Sequence, residues 1–313
     1  MRDRSIAIWV VAFACACGPS PHGHGADDDG SGDVDAGDTG GGGGGDGGGS
    51  ATVDALGCSA MDILFVIDNS GSMQQEQTNL IANFPAFISV LDASGLDYRV
   101  AVTTTARDYS YNMTTPFGNI PESTSGESGE MLQKGSMTKR WIDKTDPDVA
   151  TTFSTLANVG TSGSADEMPL GAVRDAFEER MADGTNMGFR RPDALLGIVI
   201  LTDENDCSYE QSVNLGFTES LCDSQMEPVG NYKAFLDQYT GNATRWATAI
   251  IAGPGPGTCS SSFGDAEEAT RLVDFKNQVG TNAIMSSICD GDLSISLMQA
   301  LALFQSACGG IIL

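Results

Sequence analysis

The sequence predicts an α/β domain with a doubly wound, mainly parallel central sheet that has helices on both faces. Apolar runs such as residues 63–67 (ILFVI) and 195–201 (LLGIVIL) show no polar alternation, which is typical of strands buried on both sides. Helical periodicity lies between successive runs of this kind, and parallel strands need such crossover connections. The chain has 313 residues, which is enough for one such domain with a sizeable core.

The first half of the domain begins with the strand at 63–67. A helix is predicted over 74–91 from an apolar stripe at helical spacing, in which Pro85 is an obstacle that can kink the helix. A second strand follows at 98–104 (YRVAVTT). Residues 108–136 are polar and rich in turn formers, so an insertion or surface loop is expected there.

The second half contains the most apolar strand of the chain, at 195–201. Before it, Asp146 and Pro147 have the N-cap and first-turn preferences that open a helix, and Phe153 and Leu156 supply its buried face. The remaining predicted elements are helices at 169–181, 232–239, 266–279 and 293–306 and strands at 247–252 and 283–288.

Residues 1–17 have the pattern of an export signal. Two arginines precede a nine-residue apolar core at 6–14, which is too short to span a bilayer comfortably. Small residues before a cysteine resemble the lipobox of bacterial lipoproteins, in which the cysteine is lipidated and becomes the mature N-terminus. Cys17 fits this pattern best and Cys15 is the alternative, although the usual upstream leucine is missing. We therefore expect a lipoprotein of the bacterial outer membrane or cell surface, with ordinary cleavage and secretion as the alternative.

Residues 18–57 predict a disordered tether. They contain 16 of the 39 glycines of the chain, eight aspartates and no lysine or arginine. As a flexible coil this segment would place its ends ~35 Å apart. The folded domain is therefore expected at 58–313.

Six cysteines lie within 58–313, and an even number in an exported chain favours three disulfides. Composition alone leaves 15 pairings open. A zinc site is the competing interpretation, but it needs close cysteine pairs such as CxxC, and the sequence has none. The six are Cys58, Cys207, Cys222, Cys259, Cys289 and Cys308.

Charge and histidine content exclude several functions. The chain has 16 basic and 42 acidic residues, a net charge of −26, so nucleic acid and anionic membranes are repelled, and we expect contact with a membrane only through a lipid anchor. Both histidines, His22 and His24, precede the domain, which excludes a Ser-His-Asp hydrolase or a His-ligated metal centre within it. We expect no enzymatic activity; a metal-dependent hydrolase that uses carboxylates is the least favoured alternative.

Polar clusters follow three of the predicted elements. They are Asp68, Ser70 and Ser72 after the first strand, residues 160–167 before a helix, and residues 203–206 after the strand at 195–201. Carboxylate and hydroxyl oxygens are hard ligands that suit Mg²⁺ or Ca²⁺ and tolerate Mn²⁺. The spacing of two in Asp-x-Ser-x-Ser allows three oxygens of an extended loop to face one ion.

These motifs resemble the von Willebrand factor type A (VWA) domain and its metal-ion-dependent adhesion site (MIDAS), over roughly residues 60–307. The resemblance implies a divalent cation, Mg²⁺ or else Ca²⁺ or Mn²⁺, and a protein or polymer partner whose acidic residue completes the shell. It implies metal ligands at Asp68, Ser70, Ser72, Thr161 and Asp203, with Ser164 and Glu167 as possible additional ligands. The alternatives are a metal-free domain in which Asp68 and Asp203 cap loops, or a scaffold in which the cation is structural.

The resemblance also suggests how the cysteines pair. The termini of the VWA fold lie near each other in relatives, which implies a Cys58–Cys308 clasp. Cys207 and Cys222 would close a 14-residue excursion after the strand at 195–201, and Cys259–Cys289 would be the remaining pair. The residues beside Asp203, Glu204 and Asp206, form either a second acidic shell or a solvated loop.

Overall fold

The computed structural model describes residues 58–223 and 226–309. The chain divides into two units, Met1–Ala51 and Thr52–Leu313, and all described residues lie in the second. The export signal with Cys15 and Cys17, and the tether, lie outside the described residues. Within those that are described, no helix is both long and apolar enough to cross a membrane.

A six-stranded sheet forms the centre of the domain. Its strands in spatial order are β11 (Ala283–Ser287), β8 (Trp246–Ala252), β6 (Leu195–Leu201), β1 (Ala60–Ile67), β2 (Asp97–Thr104) and β5 (Ile142–Asp143). The first five run parallel, whereas β5 pairs antiparallel with β2. The sheet is therefore mixed, and the expected parallel order holds only in part. The two residues of β5 enter from a loop and not from a crossover helix, so parallel entry is not imposed on them.

Helices cover both faces of this sheet. The structure contains α1 (Gln74–Ala93), α2 (Val149–Ala157), α3 (Pro169–Phe177), α4 (Glu179–Ala182), α5 (Val229–Thr240), α6 (Thr270–Val279) and α7 (Leu293–Gly309). On one face Phe65 of β1 packs in a core with α1, α2 and α7, and on the other Leu64 and Val66 pack with α3, α5 and α6. Successive β1 side chains thus enter opposite cores, which is why the strand has no polar alternation.

The helix bounds differ from the predicted ones in physically understandable ways. Helix α1 continues through Pro85, which is exposed. The helix expected over 169–181 is broken at Glu178 into α3 and α4. Helix α2 begins only at Val149, because Asp148 adopts a left-handed conformation with φ 51°.

A second, smaller sheet occupies the region expected to be a polar loop. It consists of β4 (Gly118–Thr124), β3 (Tyr109–Thr115) and β7 (Asn214–Gly216). A tight turn joins β3 to β4, and Gly118 has the positive φ of 120° that favours glycine. A further short hairpin, β9 (Cys259–Ser261) and β10 (Gly264–Ala266), replaces the expected start of α6.

The three disulfides have the expected pairing, of which the VWA resemblance implied the first. They are Cys58–Cys308, Cys207–Cys222 and Cys259–Cys289, with Cα–Cα distances of 5.0, 4.7 and 6.1 Å. The first joins positions 250 residues apart and is reinforced by a 2.9 Å hydrogen bond from the Cys58 N–H to the Cys308 carbonyl. It fastens the start of β1 to the end of α7.

Candidate metal centre

The candidate site lies where β1, β2 and β6 end side by side. Ile67 is in register with Thr104 on one side and with Leu201 on the other, so the residues that follow all three strands meet at one edge. The Asp68 N–H donates to the Leu201 carbonyl at 2.9 Å, and the Thr105 N–H donates to the Ile67 carbonyl at 3.3 Å. The parallel pairing thereby brings the first and third polar clusters of the sequence together.

Asp68 is fully buried and both of its carboxylate oxygens are held. Oδ1 accepts from the Ser70 N–H at 2.7 Å, and Oδ2 accepts from the Thr202 hydroxyl at 2.6 Å. The turn that results brings the Ser70 and Ser72 hydroxyls within 3.2 Å of each other. Ser70 is buried and Ser72 is exposed, so the pair extends from the interior to the surface.

The second loop is fastened to the first by a side-chain bridge and by a backbone hydrogen bond. The Gln77 amide Nε2 donates to the Asp68 carbonyl at 2.9 Å and to the Gly160 carbonyl at 2.8 Å. The Gly163 N–H donates to the Asn69 carbonyl at 2.7 Å. Thr161 lies between these two attachment points and is half-buried, so the structure brings it to the loop of the serines.

The two additional candidates in the second loop have different environments. The Ser164 hydroxyl accepts from the Asp166 N–H at 3.1 Å, which is a local turn contact. Glu167 is fully buried, and its Oε2 accepts from the Thr105 hydroxyl. Its other oxygen, Oε1, has no hydrogen-bond partner among the described residues.

Asp203 and Asp206 of the third cluster have different surroundings. Asp203 is 4% exposed, and its Oδ1 finds no hydrogen-bond partner in the described ranges. Asp206 instead accepts from the Leu170 N–H at 3.0 Å at the start of α3 and from Arg271 Nε at 3.1 Å. Asp206 therefore accepts an N–H of the first turn of α3 and forms an ion pair with Arg271. It belongs neither to a second acidic shell nor to a solvated loop.

Electrostatics at this edge oppose ionisation. Burial raises the pKa of Asp68, and the charge of Asp203 adds to the effect, while hydrogen bonds from Thr202 and Ser70 work against it. Burial also raises the pKa of Glu167, with the charge of Asp68 adding to it. A cation bound among these carboxyls would favour their charged forms.

A divalent cation fits the unpaired oxygens of the site. In or beside the three polar clusters, four buried side-chain oxygens lack hydrogen-bond partners within the described part of the chain; they are Asn69 Oδ1, Glu76 Oε2, Glu167 Oε1 and Asp203 Oδ1. Each buried and unsatisfied acceptor costs about 1–3 kcal/mol. The described residues hold no group of three or more His, Cys, Asp or Glu side chains arranged around a metal position. The oxygens available at this edge are carboxylates and hydroxyls, which are donors of the kind that Mg²⁺ and Ca²⁺ prefer.

Two residues of α1 were missed by sequence reasoning. Glu76 is 1% exposed, and burial together with the charges of Asp203 and Asp68 raises its pKa to about 7. Gln77 joins the first two loops. A signal for Gln77 was available, because it falls on the stripe of α1 that continues with the buried Leu80, where a polar side chain needs a buried partner.

Comparisons with known proteins give only distant likenesses. No family model matches the chain, and no curated protein matches it. Proximal thread matrix protein 1 of the mussel byssus is similar with a TM-score of 0.42 and 11% identity over 79% of this chain and 49% of that one. The pilus adhesin SpaC of Lactobacillus rhamnosus GG is similar with a TM-score of 0.41 and 9% identity over 79% of this chain and 31% of that one. The chain spans about half or less of the length of these structures.

Proposed function

We propose that residues 58–313 form a VWA domain that binds a divalent cation and, through it, an acidic group of a protein or polymer partner. The observation that carries this proposal is the pair of hydroxyls of Ser70 and Ser72, 3.2 Å apart beside the buried Asp68. Paired hydroxyls next to carboxylates form a hard oxygen set for Mg²⁺, with Ca²⁺ or Mn²⁺ as substitutes.

Each ligand of the proposed site has a distinct part. Ser70, Ser72 and Thr161 would supply neutral oxygens, and Asp68 and Asp203 would supply charge directly or through water. Glu167 and Ser164 are the positions from which a further oxygen could come. Mg²⁺ prefers six ligands and seldom receives all of them from protein, which leaves a position for a carboxylate of the partner.

The charge of the domain limits what that partner can be. From residue 58 onward there are 14 basic and 33 acidic side chains, a net charge of −19. Long-range repulsion slows the approach of an acidic molecule, and a bound cation offsets it only locally. The proposed partner is therefore neutral or basic overall and presents one well-placed carboxylate.

The proposed location is the bacterial outer membrane or cell surface. Three disulfides are typical of a protein that leaves the reducing cytosol. We propose Cys17 as the lipidated residue, with Cys15 or secretion without an anchor as the alternatives. Radiolabelled fatty acid should be incorporated into the wild type and not into Cys17→Ser.

One observation favours a second function, that of a scaffold stabilised by the cation. Asp68 and Ser70 are 0% and 2% exposed, and an enclosed ion can be purely structural. Ser72 at the surface favours the binding function instead. Mg²⁺ should change partner capture in the binding case, and only the melting temperature in the scaffold case. We propose no catalytic role for this site.

The test is capture from the cell envelope of the producing organism on the immobilised full chain, with Mg²⁺ and with chelator. Asp68→Ala should abolish the Mg²⁺-dependent capture while circular dichroism shows a folded domain. Asp193→Ala, at an exposed position before β6 and far from the site edge, is the matched control and should capture as the wild type does. Capture unchanged by chelator or by Asp68→Ala contradicts the proposal.

A further inference from the structure

The small sheet carries apolar side chains that are exposed to solvent. Ile120 of β4, Met113 of β3 and Leu215 of β7 form one in-register row, so their side chains share a face. Leu215 is 2% exposed, Met113 is half-buried and Ile120 is 47% exposed. The row therefore runs from the packed core at Leu215 to an exposed side chain at Ile120.

Two exposed phenylalanines lie at one end of the same sheet. Phe117, 99% exposed, is in the turn that joins β3 to β4. Phe217, 64% exposed, follows Gly216, which pairs with Thr114 only one residue from the end of β3. We define the apolar overhang as the four side chains of Met113, Phe117, Ile120 and Phe217.

The base of the small sheet, from which the apolar overhang extends, packs beside the second loop of the candidate metal centre. Strand β3 begins five residues after the end of β2, at the sheet edge that holds the site. The small sheet packs its Leu215 with Met168, the residue that directly follows Glu167. Tyr111, on the same face of β3 as Met113, has its pKa raised by burial and then by the charge of Asp166 in the second loop.

The charge pattern indicates what the apolar overhang can bind. Residues 109–121 (YSYNMTTPFGNIP) and 214–218 (NLGFT) contain no charged side chain, and the acidic Glu122 and Glu219 directly follow them. An anionic bilayer is disfavoured, because these stretches have no lysine or arginine for lipid headgroups. An added β-strand is disfavoured, because Pro121 in the edge strand β4 has no N–H to donate. An apolar protein surface is the occupant that these features fit.

We propose that the apolar overhang binds apolar side chains that flank the acidic residue of a protein partner, so that the cation and the overhang together select the partner. This proposal rests on the proposed function. The recognised chemistry is an Asp or Glu with Phe, Leu, Ile or Trp beside it, on a surface without net negative charge. A polymer of acidic sugars would lack the apolar part and would not be selected.

The test is selection of a random displayed-peptide library on the full chain in Mg²⁺. Selected peptides should combine an acidic residue with apolar neighbours. The double variant Phe117→Ser/Ile120→Ser should bind the selected peptide about a hundredfold more weakly, since burial of each exposed apolar side chain is worth about tenfold in affinity. Met187→Ser, 69% exposed in the turn before β6, is the matched control and should bind as the wild type does.

The outcomes separate the two proposals. Peptide binding that needs Mg²⁺ but is unchanged in the double variant overturns the overhang proposal alone. Binding that the double variant loses but chelator does not affect overturns the role of the cation. Failure to select peptides, or peptides without apolar residues, overturns the overhang proposal. Sedimentation that shows a wild-type dimer and a monomeric double variant overturns the stated partner in favour of a second copy of the chain.

Discussion

Replacing Gln77 by leucine tests whether one side chain holds together the first two loops of the candidate metal centre. The amide donates both of its N–H groups, to the Asp68 carbonyl at 2.9 Å and to the Gly160 carbonyl at 2.8 Å. Leucine has a similar size but no donor, so two carbonyls lose their partner, one of them in a buried environment. At about 1–3 kcal/mol for an unsatisfied buried acceptor, and less for the half-buried Gly160, the free energy of unfolding should fall by about 2–4 kcal/mol.

The assay is urea unfolding of the full chain with and without Mg²⁺. Binding stabilises the folded state by about 2.7 kcal/mol at a hundredfold excess over the dissociation constant, and each tenfold loss of affinity removes about 1.4 kcal/mol of this. If Gln77 positions Thr161 for the cation, Gln77→Leu should reduce the Mg²⁺-induced gain as well as the stability of the metal-free protein. Gln75→Leu, on the exposed side of the same helix turn, is the control and should change neither quantity.

Two results refute this reasoning in different ways. A metal-free Gln77→Leu protein within about 0.5 kcal/mol of the wild type shows that the two hydrogen bonds contribute nothing. A destabilised protein with an unchanged Mg²⁺-induced gain shows that Gln77 supports the fold but does not position a ligand.

Three further predictions follow from other contacts. Gly163→Ala places a Cβ against the side chain of Asn69 in the neighbouring loop. The free energy of unfolding should therefore fall by about 1–3 kcal/mol, which a lower melting temperature would show, and Gly163→Val should lower it further. Cys58→Ser/Cys308→Ser opens a loop of 250 residues, and the chain-entropy model predicts a loss of ~5 kcal/mol in urea unfolding. Burial raises the pKa of Asp143, but hydrogen bonds from Lys139 and a threonine outweigh it and lower the pKa to about 2 from an ordinary 3.8. The stability from Asp143 is thus fully present above pH ~4 and is lost as the pH falls toward 2; Lys139→Met should flatten this part of the pH profile, and an unchanged slope contradicts the assignment.

The central part of the fold could be predicted because continuous apolar runs in the sequence show which strands are buried. Strands β1 and β6 are covered on both faces, and their continuous apolar runs identify them. Strands β3 and β4 escaped prediction because the exposed hairpin they form contains Ser, Asn, Thr and Pro and has the composition of a loop. The pairing of β3 with β7, about a hundred residues away, is a tertiary contact that no local pattern encodes.

The candidate site was predictable where a short motif fixes the geometry. Asp68, Ser70 and Ser72 lie within five residues, and the local turn alone brings the two hydroxyls together. The second loop is different, because its position depends on Gln77, which contacts a carbonyl 83 residues away. Asp206 could not be assigned from the sequence, because its partners are distant in the chain. It accepts an N–H at the start of α3 and pairs with Arg271.

Counting bound Mn²⁺ by electron paramagnetic resonance tests the central claim most directly, because free Mn²⁺ gives a strong signal that is lost on binding. The claim is that two serine hydroxyls and neighbouring carboxylates hold a divalent cation at the carboxyl edge of the sheet. The wild-type chain should bind Mn²⁺ in competition with Mg²⁺, and Ser70→Ala/Ser72→Ala should lose that binding while it remains folded. Equal binding by the two proteins, or none by the wild type, contradicts the claim.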